Sequence, residues 1–299
     1  QLGLGDDDLW RHNPDLIVTA MPGYGRDGPA RDWVAYGSVL DSHGGLSFLN
    51  GYEGEAPWKS GVAWPDPMAG LHATVGTLMA LLERRREGGG GRVVELSQFE
   101  AIVNVVGADV EKAQRAGRDL LPRGARHPDH APQGVYPCLG DDRWVSVSVD
   151  SDDTWRALVE EANLPTEWGS WGRDERRHHH TEIDAAVTCW TLTHDAPLVM
   201  YRLQARGVAA APVIDAGGLR SDPHLNARAL LVTVDQPDVG AMAVTRSPIR
   251  IDGRFPEARP APTLGEHNAE VLAEAGHDAT SIADLEKRGV VATIPPEPD

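Results

Sequence analysis

Apolar side chains recur every three or four residues in the middle of the first half of the chain. They are Met68, Leu71, Val75, Leu78, Met79 and Leu82. This spacing predicts a helix with one buried face. Basic residues at 84–86 suit its negative end, and the glycines at 88–91 predict its stop. The apolar run at 93–96 then predicts a short buried strand.

The start of this helix carries the first candidate for chemistry, Asp66. It stands before Pro67 and the apolar run, which predicts a helix N-cap with Pro67 at the first helical position. A carboxylate kept ionised at a positive helix end and aimed into a cleft would also suit a nucleophile. The local pattern leaves both interpretations open.

Upstream, residues 16–20 predict a buried strand, and residues 21–29 form a loop dense in glycine and proline. The loop fits neither the dinucleotide fingerprint nor the P-loop spacing, so a surface loop and a phosphate-binding loop both stay open. Gly44 and Gly45 follow His43, and a lone histidine here is more often structural than catalytic.

Downstream, the pattern predicts one helix over 99–118, an irregular linker or lid around 121–134, and then further strands and helices. The strands are expected at 135–138, 144–149, 208–214, 230–234 and 241–245, and the helices at 152–159, 183–190, 197–206, from 222, and 269–275. The histidines at 178–180 are consecutive and do not share a helix face, so no metal site is predicted.

Composition and charge argue against nucleic-acid-binding, membrane and disulfide-rich proteins. The chain has 299 residues, 41% of them hydrophobic, and a net charge of −17. That charge argues against nucleic acid as a partner, because phosphate backbones need a basic face. No apolar run approaches the roughly 20 residues that span a bilayer, so no membrane partner is expected. Cys138 and Cys189 make no disulfide framework, which favours the cytoplasm.

Several segments together resemble family III CoA-transferases, which include formyl-CoA transferases, carnitine CoA-transferases and α-methylacyl-CoA racemases. The matching segments, in the family's order, are residues 13–17, 23–29, 44–45, 65–72 with the helix to Leu82, the glycine turn into 93–97, and residues 207–213, 222–224 and 262–268. Their ordered combination carries the resemblance.

The resemblance implies a transferase in which Asp66 attacks an acyl-CoA thioester and forms a mixed anhydride. CoA then passes to a carboxylic acid acceptor. CoA thioester is a substrate, and no permanently bound cofactor and no metal are expected. The resemblance also implies that the substrate site is lined by Tyr36, His72, Gly23, Tyr24, Gly25, Gly44, Gly45 and His127.

For the fold, the resemblance implies an α/β protein with a Rossmann-like large domain, a smaller α+β domain and an interlocked homodimer. Residues 1–120 would be the rest of the large domain without its N-terminal part, 121–225 the small domain, and 226–299 a segment that returns to the large domain. In relatives, a glycine-rich loop covers the active site, and at that place this chain has His127, Pro128 and His130.

Two other functions stay open. An α-methylacyl-CoA racemase would use a histidine at the position of Tyr36, and a tyrosine with a pKa of about 10 is a poor base for an α-proton at neutral pH. Tyr36 therefore favours the transferase. The other open hypothesis is a non-catalytic partner subunit or a fragment, since the chain starts without methionine.

Overall fold

In the computed structural model, residues 3–52 and 54–293 are described. They fall into two units that divide between Pro212 and Val213. The ends of the first and last predicted domains, residues 1–2 and 294–299, lie outside the described residues. The predicted domain divisions at 120 and 225 stay predictions.

A pair of parallel strands and one long helix organise the beginning of the first unit. The elements here are α1 (Asp6–His12), β1 (Ile17–Ala20), α2 (Gly37–His43), α3 (Leu46–Leu49), α4 (Pro65–Glu87), β2 (Arg92–Glu95), α5 (Gln98–Val105) and α6 (Gly107–Ala116). The predicted strands on either side of the helix are present and pair in parallel from Ile17 opposite Arg92 to Ala20 opposite Glu95. Their expected burial is wrong, because the residues of both strands are half-buried or exposed. Gly88 ends α4 in the left-handed conformation, as expected.

The face of α4 that packs inward is made of small residues. Ala69, Ala73 and Ala80 are buried, and a β-carbon at Gly76 would lie 2.7 Å from Val94 Cγ1 of β2. The helix therefore approaches the strands closely because it carries little side chain on that side.

The apolar face of α4 that the sequence predicted as buried is exposed, so that prediction is wrong for this chain. Leu71, Val75, Leu78, Met79 and Leu82 are 55–64% exposed. Periodicity identified a real stripe of large apolar residues, but the contact with the strands uses the small residues beside it. We call these five side chains the α4 ridge.

The helix predicted over 99–118 is two helices, α5 and α6. Residue Val106 lies between them, with φ −89° and ψ 7°, and serves as the cap of both. Ser97 begins α5 by accepting a hydrogen bond from the backbone N–H of Glu100.

The second half of the first unit is an antiparallel sheet covered by helices. Its elements are β3 (Gln133–Pro137), β4 (Trp144–Ser148), α7 (Asp152–Glu161), a 3-10 turn (Thr166–Ser170), α8 (Arg173–His178), α9 (His180–Thr191), α10 (Ala196–Gln204) and β5 (Ala209–Pro212). The order in the sheet is β3-β4-β5. Val145 and Val147 alternate with exposed or half-buried residues and join Trp155 and Ile183 in one core.

The second unit contains a hairpin and short helices. Its elements are α11 (Ala216–Ser221), α12 (Pro223–Ala227), β6 (Leu231–Gln236), β7 (Gly240–Thr245), α13 (Asn268–Glu274) and α14 (Ala279–Lys287). β6 and β7 pair antiparallel, as predicted, and Asp222 caps α12 by accepting from Leu225 N.

The described residues therefore form a mixed α/β fold, which confirms the expected class at that level. The Rossmann-like architecture of a complete large domain and the interlocked dimer stay predictions.

Candidate active site

Asp66 lies in the first turn of α4, one residue after the helix begins at Pro65. The predicted N-cap role is therefore wrong, because Trp64 takes that position with φ −56° and ψ −33° and accepts from Met68 N at 3.1 Å. Pro65 and Pro67 explain the earlier start, since neither has an N–H to leave unsatisfied in the first turn and both have a fixed φ.

The Asp66 carboxylate lies against the first residue of α2, Gly37. A β-carbon at position 37 would be 2.0 Å from Asp66 Oδ2 and 2.7 Å from the Ala63 β-carbon. Only a glycine leaves room for the carboxylate here. The start of α2 and the start of α4 thus meet at Asp66.

The carboxylate of Asp66 is available to a ligand. The residue is exposed, and within the part of the chain that the structure describes, no side chain donates a hydrogen bond to it or pairs with it. An accessible and sterically confined carboxylate at the positive end of a helix has what a nucleophile requires.

Tyr36 precedes Gly37 and forms the N-cap of α2, with its side chain 72% exposed. The backbone therefore places Tyr36 beside Asp66, and its ring is open to solvent. The structure brings these two predicted site residues together.

His72 is held within α4. Its Nδ1 lies 2.8 Å from the backbone oxygen of Met68. It lies six positions after Asp66, which corresponds to about 9 Å along the axis and roughly 120° around it. The helix therefore directs the two side chains differently, and contact of His72 with substrate stays a prediction.

The loop that carries Gly23 and Gly25 lies beside the segment leading to Tyr36. A β-carbon at Gly23 would be 2.3 Å from the Ala35 β-carbon. Gly25 has φ +96°, and the next backbone N–H, of Arg26, donates to Glu95 Oε1 at 2.6 Å. These contacts fix the loop between β2 and the segment that leads into α2.

Tyr24, from the same loop, is the centre of an aromatic cluster. Its ring centroid lies 5.5 Å from Trp33 and 5.6 Å from both His43 and Phe99, and its hydroxyl is 3.1 Å from His43 Nδ1. No local pattern predicts Trp33 or Phe99 as neighbours of the loop. His43 has structural contacts here, as the sequence suggested.

Gly44 and Gly45 shape the end of α2. A β-carbon at Gly44 would be 2.4 Å from Ile102 Cγ2 of α5, and Gly45 adopts φ +86° before α3 begins. Both glycines therefore set the position of α2, whose other end contacts Asp66. A direct contact of either with substrate stays a prediction.

His127 lies in the linker before β3. Its ring stacks on His130 with centroids 4.3 Å apart, and its Nδ1 accepts from Asp129 N at 3.1 Å. None of these contacts involves Asp66, and the role of His127 in binding substrate stays a prediction.

The described residues also bear on two other classes of site, metal centres and membrane spans. Across residues 3–52 and 54–293, no group of three His, Cys, Asp or Glu side chains is arranged to hold a metal ion. Over the same residues, no helix has both the length and the apolar character needed to cross a membrane.

Comparison with known families and proteins finds matches over most of the chain. The family described as CoA-transferase family III matches residues 1–268. Succinyl-CoA–D-citramalate CoA-transferase of Chloroflexus aurantiacus is 28% identical, over 97% of this chain and 73% of that protein. Succinyl-CoA:mesaconate CoA-transferase of Haloarcula marismortui is 29% identical, over 92% of this chain and 70% of that protein.

A solved structure supports the fold. The crystal structure of a CAIB/BAIF family protein from Brucella suis superposes with a TM-score of 0.78 at 24% identity. The superposition covers 91% of this chain and 71% of that one.

Proposed function

Because the chain belongs to CoA-transferase family III, we propose that it moves CoA from an acyl-CoA to a carboxylic acid through a mixed anhydride on Asp66. The observation that carries the proposal is the exposed Asp66 carboxylate, confined by Gly37 at the start of two helices. CoA thioesters are the substrates of this family of enzymes.

The reaction would proceed as three successive exchanges at carbonyl carbon. The Asp66 carboxylate attacks the thioester carbonyl, the C–S bond breaks, and CoA leaves as the thiolate. The acceptor carboxylate then attacks the acyl carbonyl of this anhydride, the bond from that carbon to the Asp66 oxygen breaks, and an anhydride of the donor and acceptor acids forms. The thiolate attacks the acceptor's carbonyl and releases the donor acid, so that one thioester is lost and one is formed.

An anhydride keeps the energy of the thioester, which is why a carboxylate suits this position better than a hydroxyl. The oxyanion that develops during attack needs N–H donors. The backbone of Gly37 lies against the Asp66 carboxylate, and Gly23 packs against Ala35, two residues before Gly37. These groups are our candidates for stabilising the oxyanion.

Substitution of Asp66 tests the mechanism. Asp66→Asn keeps the shape that fits against Gly37 but removes the nucleophile, so CoA transfer should fall to background. Hydroxylamine added during turnover should give a hydroxamate at Asp66, detected by mass spectrometry of the peptide. The matched control is Asp109→Asn, since Asp109 is a first-turn acid of α6.

Two results would refute the proposal. One is full transfer activity in Asp66→Asn. The other is deuterium uptake at the α-carbon in D2O without CoA transfer, which would indicate the racemase instead.

We also propose that the protein is a cytoplasmic homodimer. The α4 ridge supports association, because a stripe of large apolar side chains on one helix is typical of a contact surface. Two cysteines without a disulfide fit a reducing compartment. Light scattering after size exclusion would give the mass of the assembly, and a monomer at all concentrations would contradict the dimer.

A further inference from the structure

Two arginines of the second unit share one aromatic ring. The guanidinium carbon of Arg246 lies 4.1 Å from the centroid of the Phe255 ring, and that of Arg250 lies 4.2 Å from the same centroid. The two guanidinium carbons are therefore no further apart than these two distances taken together. Both contacts are well within the roughly 6 Å over which a ring face attracts a cation. We call Arg246 and Arg250 the arginine pair.

A tight turn places Arg250 opposite Phe255. Ile251 and Arg254 exchange both backbone hydrogen bonds at 2.9 Å, and the Asp-Gly pair between them has φ of +50° and +76°. Positive φ at both central positions is typical of a type I′ hairpin turn, which favours Asp-Gly. The next residues along the two arms are Arg250 and Phe255, so their side chains share one face. The Arg254 side chain belongs to the other face, because successive side chains alternate.

Backbone oxygens fix the orientation of the arginine pair. Arg246 Nε donates to the carbonyl oxygen of Ala229, and Arg250 Nη2 donates to that of Arg228, both at 2.7 Å. A guanidinium has five N–H donors. Over residues 3–52 and 54–293, these are the hydrogen bonds that the two guanidiniums make, so most of their donors stay available to a ligand.

The charge of the arginine pair is not neutralised by the part of the chain that the structure describes. No carboxylate there pairs with Arg246 or Arg250. Glu257, two residues beyond the ring, instead accepts from Arg259 at 2.8 and 2.9 Å. Two like charges held on one ring repel each other, and an anion bound to both removes that repulsion. The chain is rich in acidic residues, with a net charge of −17, so an arginine pair left without one among the described residues indicates a ligand.

The arrangement favours a phosphate group over a carboxylate. A phosphomonoester carries about −1.5 to −2 charge at pH 7 and has three acceptor oxygens. These oxygens point in different directions from the phosphorus, so one group can accept from both guanidiniums. A carboxylate has a single charge and two coplanar oxygens, which match the fork of one guanidinium.

We propose that Arg246 and Arg250 form a binding site for a phosphate group, with Phe255 holding both guanidiniums in position. The ligand is free phosphate or the phosphomonoester of a small molecule. CoA carries such a group on its ribose. The inference goes beyond the proposed function, because the arginine pair lies in the second unit and binding to it does not require Asp66.

Calorimetric titration of the full chain at low ionic strength tests the site. The probes are inorganic phosphate, at a pH of about 8 where it is mostly a dianion, and acetate. Phosphate should bind at least about tenfold more tightly than acetate, because acetate can meet only one of the two guanidiniums.

Variants locate the binding. Arg250→Gln should weaken phosphate about tenfold or more and leave acetate within a few-fold. Phe255→Leu keeps both charges but removes the ring, so it should weaken phosphate several-fold. The control is Arg254→Gln, which removes an exposed arginine of the same turn from the other face and should bind phosphate as the unchanged chain does. Arg250 is also exposed, so thermal melting should be similar in Arg250→Gln and the control.

CoA and dephospho-CoA, which lacks the ribose phosphate, distinguish the two sources of the group. If CoA supplies it, CoA should bind more tightly than dephospho-CoA, and Arg250→Gln should remove that difference. If Arg250→Gln abolishes phosphate binding but leaves the difference unchanged, the ligand is free phosphate or another small phosphomonoester. Both outcomes support the site.

Three results would overturn the inference. One is equal binding of phosphate and acetate by the unchanged chain. Another is unchanged phosphate binding in both Arg250→Gln and Phe255→Leu, which would place the bound phosphate elsewhere. The third is a loss in Arg254→Gln as large as that in Arg250→Gln, which would indicate general attraction to positive charge.

Discussion

Gly37→Ala would move the proposed nucleophile without altering it. The new β-carbon would lie 2.0 Å from Asp66 Oδ2, whereas real β-carbons stay at least 3.0 Å from such atoms, so the carboxylate must shift by 1.0 Å or more. Gly37 does not have a positive φ, so alanine itself causes no backbone strain. The perturbation is therefore confined to the contact.

A misplacement of this size in an active site costs about 100-fold in rate. We expect kcat for CoA transfer to fall by about that factor. The carboxylate can rotate, but the Ala63 β-carbon, 2.7 Å away, cannot, so unfolding in urea should also show a loss of about 1–3 kcal/mol.

The control is Gly70→Ala in α4. No atom lies within 4 Å of a β-carbon at that position, and alanine should stabilise the helix interior by roughly 0.5–1 kcal/mol with no loss of rate. If Gly37→Ala transfers CoA within twofold of the unchanged protein, confinement of Asp66 by α2 has no catalytic role.

Two further predictions concern the second half of the first unit. Arg176 is 2% exposed and donates to the carbonyl oxygens of Ala131 and Trp171, both at 2.8 Å. Arg176→Met should therefore lower the free energy of unfolding, measured in urea, by about 1–3 kcal/mol for each carbonyl left without a donor. The control, Arg177→Met at an exposed neighbour, should change the free energy of unfolding by under about 0.5 kcal/mol. Equal effects of the two variants would contradict this role of Arg176. Burial lowers the pKa of His180 in the folded protein below its ordinary 6.5, because the buried site favours the neutral ring. The stability that this preference contributes is complete above pH 6.5 and is lost as the pH falls through the folded-state pKa. Between pH 7.5 and 5.5 the unchanged protein should lose more unfolding free energy than His180→Asn, and parallel curves would refute this.

Local signals were enough to predict the strands around α4 and the stop of that helix. The glycines after Arg86 and the β-branched run from Val93 act within a few residues, so no tertiary information is needed. The start of α4 was misplaced because Pro65 as well as Pro67 fits the first turn, and a sequence pattern does not choose between them.

Contacts between distant segments were not predictable in this way. Gly37 and Asp66 are 29 positions apart, and nothing in either neighbourhood indicates that the two helix starts meet. Likewise, Arg126 and Asp184 are 58 positions apart, so their ion pair could not be expected from the linker alone. The resemblance to a family directed attention to Asp66, but it did not supply the geometry.

The two faces of α4 can be altered independently, which makes the helix a convenient place for protein engineering. The α4 ridge points away from the strands, while the close contact uses Ala73, Gly76 and their small neighbours. Glutamate and lysine are good helix formers, so placing them along the α4 ridge would make this surface more hydrophilic without destabilising the helix. Such a redesign would leave the Asp66 turn unchanged, but it would also remove the contact surface that we propose for the homodimer.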